Sequence, residues 1–376
     1  MRTIIHIIKK EFLQFKRDPK MFGMILVAPV IQLIFLGYAV NMDVENVETI
    51  VFDQSKTETS RNFIQGLESS GYFNVKYFAK NYSDVQTIIE NGDAKLGLVI
   101  PIDFEEKIER NETAPLQAIF DGSDGNTASI SAGYVQGVVN RFTKDIMLNY
   151  LDSHGQKISL VPTIESEIRV WYNPELKTRN FMVPGIVGLL LSIITLILTS
   201  LAIVKEKEIG TLEQIIVSPI KPYQIIMGKL IPFAILGFIA VLVVITAMQL
   251  IFGIAVRGSI TFLLFSSFVF ILSTLGFGLF VSTISKTQQQ AMMLAIFVVL
   301  LPMVFLSGFA FPIENMPEAI QYITHIIPLK YFMKIIRGVI LKGTGFVELW
   351  FDLLILFILG LTVLILSAIR FSKRLE

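Results

Sequence analysis

The sequence predicts an α-helical integral membrane protein with six transmembrane helices and an inserted extracytoplasmic α/β domain, and three observations carry that reading. Of 376 residues, 53% are hydrophobic and 17% charged, with a mean hydropathy of +0.64, which is too apolar for an ordinary soluble chain. Six stretches run without Asp, Glu, Lys or Arg: 21–42, 180–204, 230–256, 258–285, 287–313 and 353–369. The charge is also divided. Residues 41–180 carry 21 acidic and 13 basic side chains, and the remainder 10 and 19, so an acidic, water-compatible module sits within a basic, apolar frame.

The first stretch follows basic residues, as a signal peptide would. It is about twice the usual h-region length, starts 20 residues in and ends on Tyr38-Ala39-Val40, a poor cleavage site, so a retained helix over 21–42 is expected. The module over 43–179 changes period. Residues 49–52, 73–78, 96–100, 116–120 and 168–171 read as strands. Residues 60–69, 83–91, 104–110 and 129–151 read as helices, giving an α/β sandwich with at least partly parallel strands. Asp121-Gly-Ser-Asp-Gly-Asn lacks the glutamate at position twelve of a calcium loop and reads as a turn. Asn81-Tyr-Ser and Asn111-Glu-Thr match glycosylation sequons, which matter only in a eukaryotic secretory pathway.

The later spans are expected at 180–204, 230–256, 258–285, 287–311 and 349–369, the last taking in Leu349 and Trp350 and carrying Asp352 near the interface. With the N-terminus inside, 14 Lys and Arg flank the spans on the cytoplasmic side and five outside. That bias places both termini, including the tail 370–376, in the cytoplasm. The span interiors hold no ionisable residue, which argues against a proton- or ion-coupled carrier. Their mild polar residues, among them Thr195, Thr199, Ser266, Ser273 and Thr274, read as helix-packing groups.

Several chemistries are missing. Cysteine is absent and the three histidines, His6, His154 and His325, are scattered, so disulfides, Cys nucleophiles and His-rich metal sites are excluded. No G-x-x-x-x-G-K-[ST] occurs; Met227-Gly-Lys-Leu230 lacks the first glycine and the hydroxyl residue. The chain is therefore not expected to be an enzyme or to hydrolyse ATP by a P-loop, and it calls for no metal or other cofactor of its own.

The most specific segment is 205–229, between the second and third spans. Thr211 is placed to cap a helix from Leu212, and Pro219 and Pro222 to end it. The charged cluster, Gly-Thr, Glu, an aliphatic pair, Ser-Pro and a later Gly-Lys resemble the loop of permease subunits of ABC-2 type exporters. Glu206, Glu208, Gly210, Thr211, Glu213, Ser218, Pro219, Gly228 and Lys229 match it in order. A second match is Leu306-Ser-Gly-Phe-Ala-Phe-Pro-Ile-Glu-Asn-Met-Pro317, followed by Pro328-Leu-Lys-Tyr-Phe332 and Arg337-Gly338. One helix before a large outer module and five after it extend the resemblance over the chain, to the bacterial subfamily with an extracytoplasmic domain between its first two helices. Lys207 and Lys221-Pro-Tyr-Gln224 depart from the pattern.

The resemblance implies a cytoplasmic-membrane exporter built from two permease subunits, as homodimer or heterodimer, and separate ABC ATPase subunits that bind ATP and magnesium. It assigns ATPase coupling to Glu206, Glu208, Gly210, Thr211, Glu213, Ser218 and Pro219. Residues 1–20 become an amphipathic interfacial helix, with Ile4, Ile5, Ile8, Phe12 and Phe15 facing lipid or the bundle and Lys9, Lys10, Lys16 and Arg17 facing phosphates. Residues 312–348, broken by Pro317, Pro328 and Gly338, read as a re-entrant hairpin. Phe309, Phe311, Pro312, Tyr331 and Phe332 are its candidate outer gate. An apolar path suits a drug, lipid or lipopeptide. Membrane lipid and a periplasmic adaptor or outer-membrane component are expected partners, and nucleic acid is not. The alternative is a receptor or scaffold that acts through its outer domain without transport.

Overall fold

The computed structural model describes residues 2–40, 44, 46–110, 112–153, 171–173, 177–210 and 220–372. The chain divides into two compact units, Met1–Asn41 with Arg169–Glu376, and Met42–Ile168.

The second unit holds a four-stranded sheet in the order β2-β1-β3-β4. Its strands are β1 (Val47–Asp53), β2 (Phe73–Phe78), β3 (Leu96–Ile100) and β4 (Gln117–Phe120). β1 lies parallel to both β2 and β3, and β4 runs antiparallel to β3, so the expected partly parallel α/β unit forms. The expected strand at 168–171 lies outside the described residues except for Trp171. Every residue of β3 is buried, as its Leu-Gly-Leu-Val-Ile run requires of a strand covered on both faces. On one face, Val47, Val51, Leu96, Leu98 and Ile100 pack against helices α4 (Glu58–Ser69), α6 (Phe104–Glu109) and α7 (Gly125–Ser153). On the other, Ile50 and Ala94 meet Val85 of α5 (Tyr82–Glu90). Gly97 lets α5 lie directly on the sheet, since a Cβ there would stand 2.6 Å from Val85 Cγ1.

Local chemistry sets the element ends. Asn81, read as a sequon, is the N-cap of α5, its side chain accepting from the Asp84 N–H at 2.9 Å. Asp121 and Asp124 form the expected turn. Asp121 accepts from Ser123 N–H and pairs with Lys95 at 2.6 Å, while Asp124 accepts from the Thr127 backbone N–H and hydroxyl at the start of α7. The described residues contain no cluster of three or more metal-ligating side chains.

The first unit begins with α1 (Arg2–Arg17), α2 (Pro19–Phe22), a π-helical stretch Gly23–Val27 and α3 (Ala28–Ala39). Then follow α8 (Thr178–Glu208), α9 (Pro222–Phe252), α10 (Ile260–Ile284), α11 (Gln288–Leu294) and α12 (Leu301–Leu306), the last two joined by a π-helical stretch Ala295–Leu300. The unit ends with α13 (Glu318–Thr324), α14 (Pro328–Arg337), a π-helical stretch Gly338–Lys342 and α15 (Phe346–Ser372).

Five helices among the described residues are long and apolar enough to cross a membrane: Thr178–Glu208, Pro222–Phe252, Ile260–Ile284, Gln288–Leu306 and Phe346–Phe371. They fall on five of the six expected stretches. The first stretch forms the shorter apolar helix Gly23–Ala39, whose 17 residues reach about 25 Å at ~1.5 Å each. The helix expected to run to residue 311 stops at Leu306, because Gly308 adopts φ +78° and turns the chain.

Small and hydroxyl side chains set the spacing between helices. Thr195 and Thr274 share a hydrogen bond at 2.6 Å between α8 and α10. A Cβ on Gly276 would lie 3.0 Å from the Leu364 backbone nitrogen, and one on Gly360 2.9 Å from Ser273 Cβ. These contacts bring α10 and α15 backbone to backbone, and Ser367 donates to the Gly276 carbonyl at 3.0 Å. Ser192, Thr199, Ser266 and Ser267 return their hydroxyls to their own helix, which satisfies them without a partner.

Candidate functional site

Amphipathic α1 packs along α9. Phe12 and Phe15 pack against the core of the bundle and Ile5 is exposed, both compatible with the expected apolar side, which also takes in two residues outside it: Ile7 meets α9 and Glu11 is buried. Positions 4, 7, 8, 11 and 15 follow the 3.6-residue period, so an acid occupies the place where the pattern calls for an aliphatic side chain. Gly228 makes the approach possible, because a Cβ there would sit 2.7 Å from Ile7 Cγ2.

The neighbouring Lys229 explains the acid. Its side chain, in the first turns of α9, is 2% exposed and its ammonium lies 3.1 Å from Glu11 Oε1 and 2.7 Å from Glu206 Oε2. Lys10 pairs with Glu206 and lies 3.6 Å from Glu11. Two acids and two ammonium groups thus alternate, each charge facing its opposite, which is the condition for burying Lys229 and Glu11, while Lys10 stays at the exposed edge. Burial pulls the Lys10 ammonium down, but the hydrogen bond and charge of Glu206 outweigh it and hold the group above its ordinary value. The expectation that Lys10 faces phosphates is corrected accordingly: it faces Glu206.

The end of α8 sends three consecutive side chains to three neighbours. Glu206 joins α1 and α9; the Lys207 ammonium donates to the Ser285 carbonyl just beyond α10 at 2.8 Å. Glu208 accepts from the Gln288 backbone N–H at 3.1 Å and its side-chain amide at 3.0 Å, at the N-terminus of α11, where a carboxylate is favoured by the helix dipole. Gly210 then takes φ +81° and ends the helix, its N–H donating to the Lys207 carbonyl at 3.2 Å. Lys207, a departure from the family pattern, is one of these ties. Gln224 accepts from the Lys221 N–H at 3.1 Å and Pro222 opens α9, so the other departure is a helix start. Thr211, Glu213, Ser218 and Pro219, with the helix expected from Leu212, lie outside the described residues. Beside the ion network is a cavity of about 790 Å³, lined by Arg17, Lys205, Met24, Leu201 and Phe233 among others.

The candidate gate residues occupy different surroundings. Tyr331 and Phe332 on α14 are buried; Phe332 stacks on Phe270 at 4.3 Å and the Tyr331 hydroxyl donates to the His325 carbonyl at 3.0 Å. Phe309 is half-buried against Gly185, Phe311 is exposed and stacks on Phe305, and Pro312 is exposed. Arg337 is what joins this region. Its guanidinium lies 3.7 Å over the Phe181 ring and donates to the Gly308 carbonyl at 2.9 Å and the Phe181 carbonyl at 3.3 Å. Pro317 and Pro328 stand at the starts of α13 and α14 as expected. Gly338 does not break the chain: it continues helically, and the stop is Gly343 at φ +72°. Gly338 is small because a Cβ would lie 2.7 Å from Thr344 Oγ1. Asp352, expected near the interface, is buried and paired with Lys334 at 2.8 Å.

Of the candidate coupling residues, Glu206, Glu208 and Gly210 lie at the end of α8, where Glu206 and Glu208 reach different neighbours and Gly210 ends the helix. Glu11 and Ile7 are the residues the sequence reading missed; the signal for Glu11 was a single acid on the apolar stripe of α1.

Residues 19–369 match the ABC-2 family transporter protein family. The chain is 33% identical over 368 residues to the probable multidrug ABC transporter permease YbhS of Escherichia coli K12, covering 98% of this chain and 96% of that protein. It is 30% identical over 344 residues to the probable multidrug ABC transporter permease YbhR of the same strain, covering 92% and 91%. It is 27% identical over 292 residues to that strain's inner membrane transport permease YhhJ, covering 76% and 75%.

Proposed function

This chain belongs to the ABC-2 family of transporter permeases, and from that premise we propose that it forms the membrane path of an ATP-driven exporter whose ATP is hydrolysed by a separate ABC ATPase subunit. One observation supports the reading above the rest: the Glu11–Lys229–Glu206–Lys10 network, closed around the buried Lys229, which links the helices on either side of segment 211–219. The segment would dock on the ATPase, with Glu213 as its contact and Thr211, Ser218 and Pro219 shaping it. Glu206 and Lys229 hold its two ends together, and Lys207 and Glu208 tie the incoming end to Ser285 and Gln288. A push on the segment is then delivered to α1, α9 and the start of α11 together. Nucleotide energy can shift the bundle only through contacts that differ between its states, and these ties make a local displacement a displacement of several helices.

Two such permeases, identical or paired with a related one, would complete the path. The chain would cross the bacterial inner membrane six times, Gly23–Ala39 being the first crossing, with both termini in the cytoplasm and the α/β unit outside. Cargo would be hydrophobic or amphipathic, a drug, lipid or lipopeptide; a periplasmic adaptor or outer-membrane component would meet the outer unit. The relatives above are named as permeases, which favours transport over the receptor alternative.

Co-expression with the candidate ATPase tests this. The two should co-purify in stoichiometric amounts and hydrolyse ATP. Glu213→Ala should abolish export of a fluorescent drug or lipid with normal membrane insertion. Export by Glu213→Ala at the wild-type rate would remove the coupling assignment.

A further inference from the structure

The α/β unit contains a cavity of about 650 Å³ between α4, α6 and α7, a size ordinary for a small-molecule site. Three rings line it: Phe63, with Phe142 edge-on at 5.1 Å and Phe104 at 6.3 Å. Ile146 and Met147 extend the apolar wall, and no Lys or Arg is among the described residues that line it. Among the described residues, the one ionised side chain on its lining is Glu112.

The carboxylate of Glu112 is exposed and has no partner among the described residues, though its backbone is fixed by an N–H bond to the Lys107 carbonyl at 2.8 Å. The nearby basic groups are already committed, Lys107 to Asp103 at 2.7 Å and Arg110 to Glu106. Aromatic faces attract cations through their quadrupoles, an unpaired carboxylate does so by charge, and the module over 41–180 carries eight more acids than bases. All three fields have one sign.

We propose that this cavity is a binding site for an amphipathic cation, whose apolar body lies along Phe142, Ile146 and Met147, over the buried rings of Phe63 and Phe104, and whose charge lies at Glu112. A fatty acid or other anionic amphiphile would bring its charge to a carboxylate and find no base among the described lining residues. The site requires only this unit's own residues, so it stands whether or not the exporter reading holds.

The test uses the full chain in nanodiscs of zwitterionic lipid and radiolabelled tetraphenylphosphonium, with empty discs as background. Saturable binding is expected, weakened about fivefold by Glu112→Gln, as for a charge pair at an exposed rim. Thr143→Trp, which projects bulk into the cavity from α7, should abolish it. Tetraphenylborate, of the same shape and opposite charge, should fail to compete. Absence of saturable binding overturns the proposal, as does wild-type affinity in Glu112→Gln or equal competition by the borate. If Thr143→Trp lowers the thermal unfolding midpoint, Glu112→Gln and the borate decide alone. Co-purification with the ATPase is read separately, so loss of one result leaves the other standing.

Discussion

Lys229 concentrates the physical tension of the membrane unit: an ammonium almost wholly removed from water, held by Glu11 and Glu206. Replacing one partner of such a network leaves the others buried and unpaired, whereas replacing opposite charges together removes the penalty with the pair. Lys229→Met is therefore expected to destabilise the protein by about 3 kcal/mol, read as a drop in thermal unfolding midpoint in detergent. Adding Glu206→Gln should cost less than the two single changes summed, by at least about 1 kcal/mol; strict additivity would mean the pair is not coupled. Gly210, at φ +81° with open space around it, should tolerate alanine sterically but lose about 1 kcal/mol through backbone strain. Glu206, Gly228 and Lys229 were legible as motif residues. What each does was not, because a motif records order along the chain and an ion pair records proximity in space.

The docking of α1 rests on a single missing side chain. In Gly228→Val the new atoms meet Ile7, so α1 should lift from α9. Because the chain has no cysteine, a lone cysteine at Ile7 can report this: its reaction with a water-soluble thiol reagent should rise several-fold in Gly228→Val, and an unchanged rate would show that α1 accommodates the side chain.

In the α/β unit, the Lys95 ammonium hydrogen-bonded to Asp121 holds that carboxyl well below its ordinary range, with the Ser123 hydroxyl and N–H adding to it. A depressed carboxyl contributes stability above the ordinary carboxylate range and loses it as pH falls towards the folded value. The stability advantage of the wild type over Asp121→Asn in urea should therefore be full above about pH 5 and shrink steadily below about pH 4. A constant gap across that range would remove the ion pair from the account. The strands and helices here were largely readable, since alternation and capping are local. The cavity was not, because its walls come from three separate stretches of chain.

The arrangement of the membrane unit follows from where bulk is absent. Gly276 and Gly360 let α10 and α15 touch, and Thr195 and Thr274 bond α8 to α10. Orientation is a property of the entire chain, carried by the excess of Lys and Arg at one set of span ends. On the same cysteine-free background, a cysteine at Gln65 should react with an impermeant reagent in intact spheroplasts, and one at Gln289 only after permeabilisation. The opposite pattern would invert the topology.

The sequence by itself determined that this is a membrane protein with an acidic α/β unit between apolar helices, and that it resembles ABC-2 permeases. Each of these depends on composition, period or order over tens of residues, which any stretch carries on its own. Only the tertiary structure decided that Glu11 meets Lys229 from 218 positions away, that Asp352 is buried against Lys334, that Arg337 pins Gly308 to Phe181, and that three phenylalanines and Glu112 line one cavity. The physical reason is the same in every case. Burial and charge pairing depend on which distant surfaces come into contact, and helix packing fixes those contacts through small residues whose role is the space they leave.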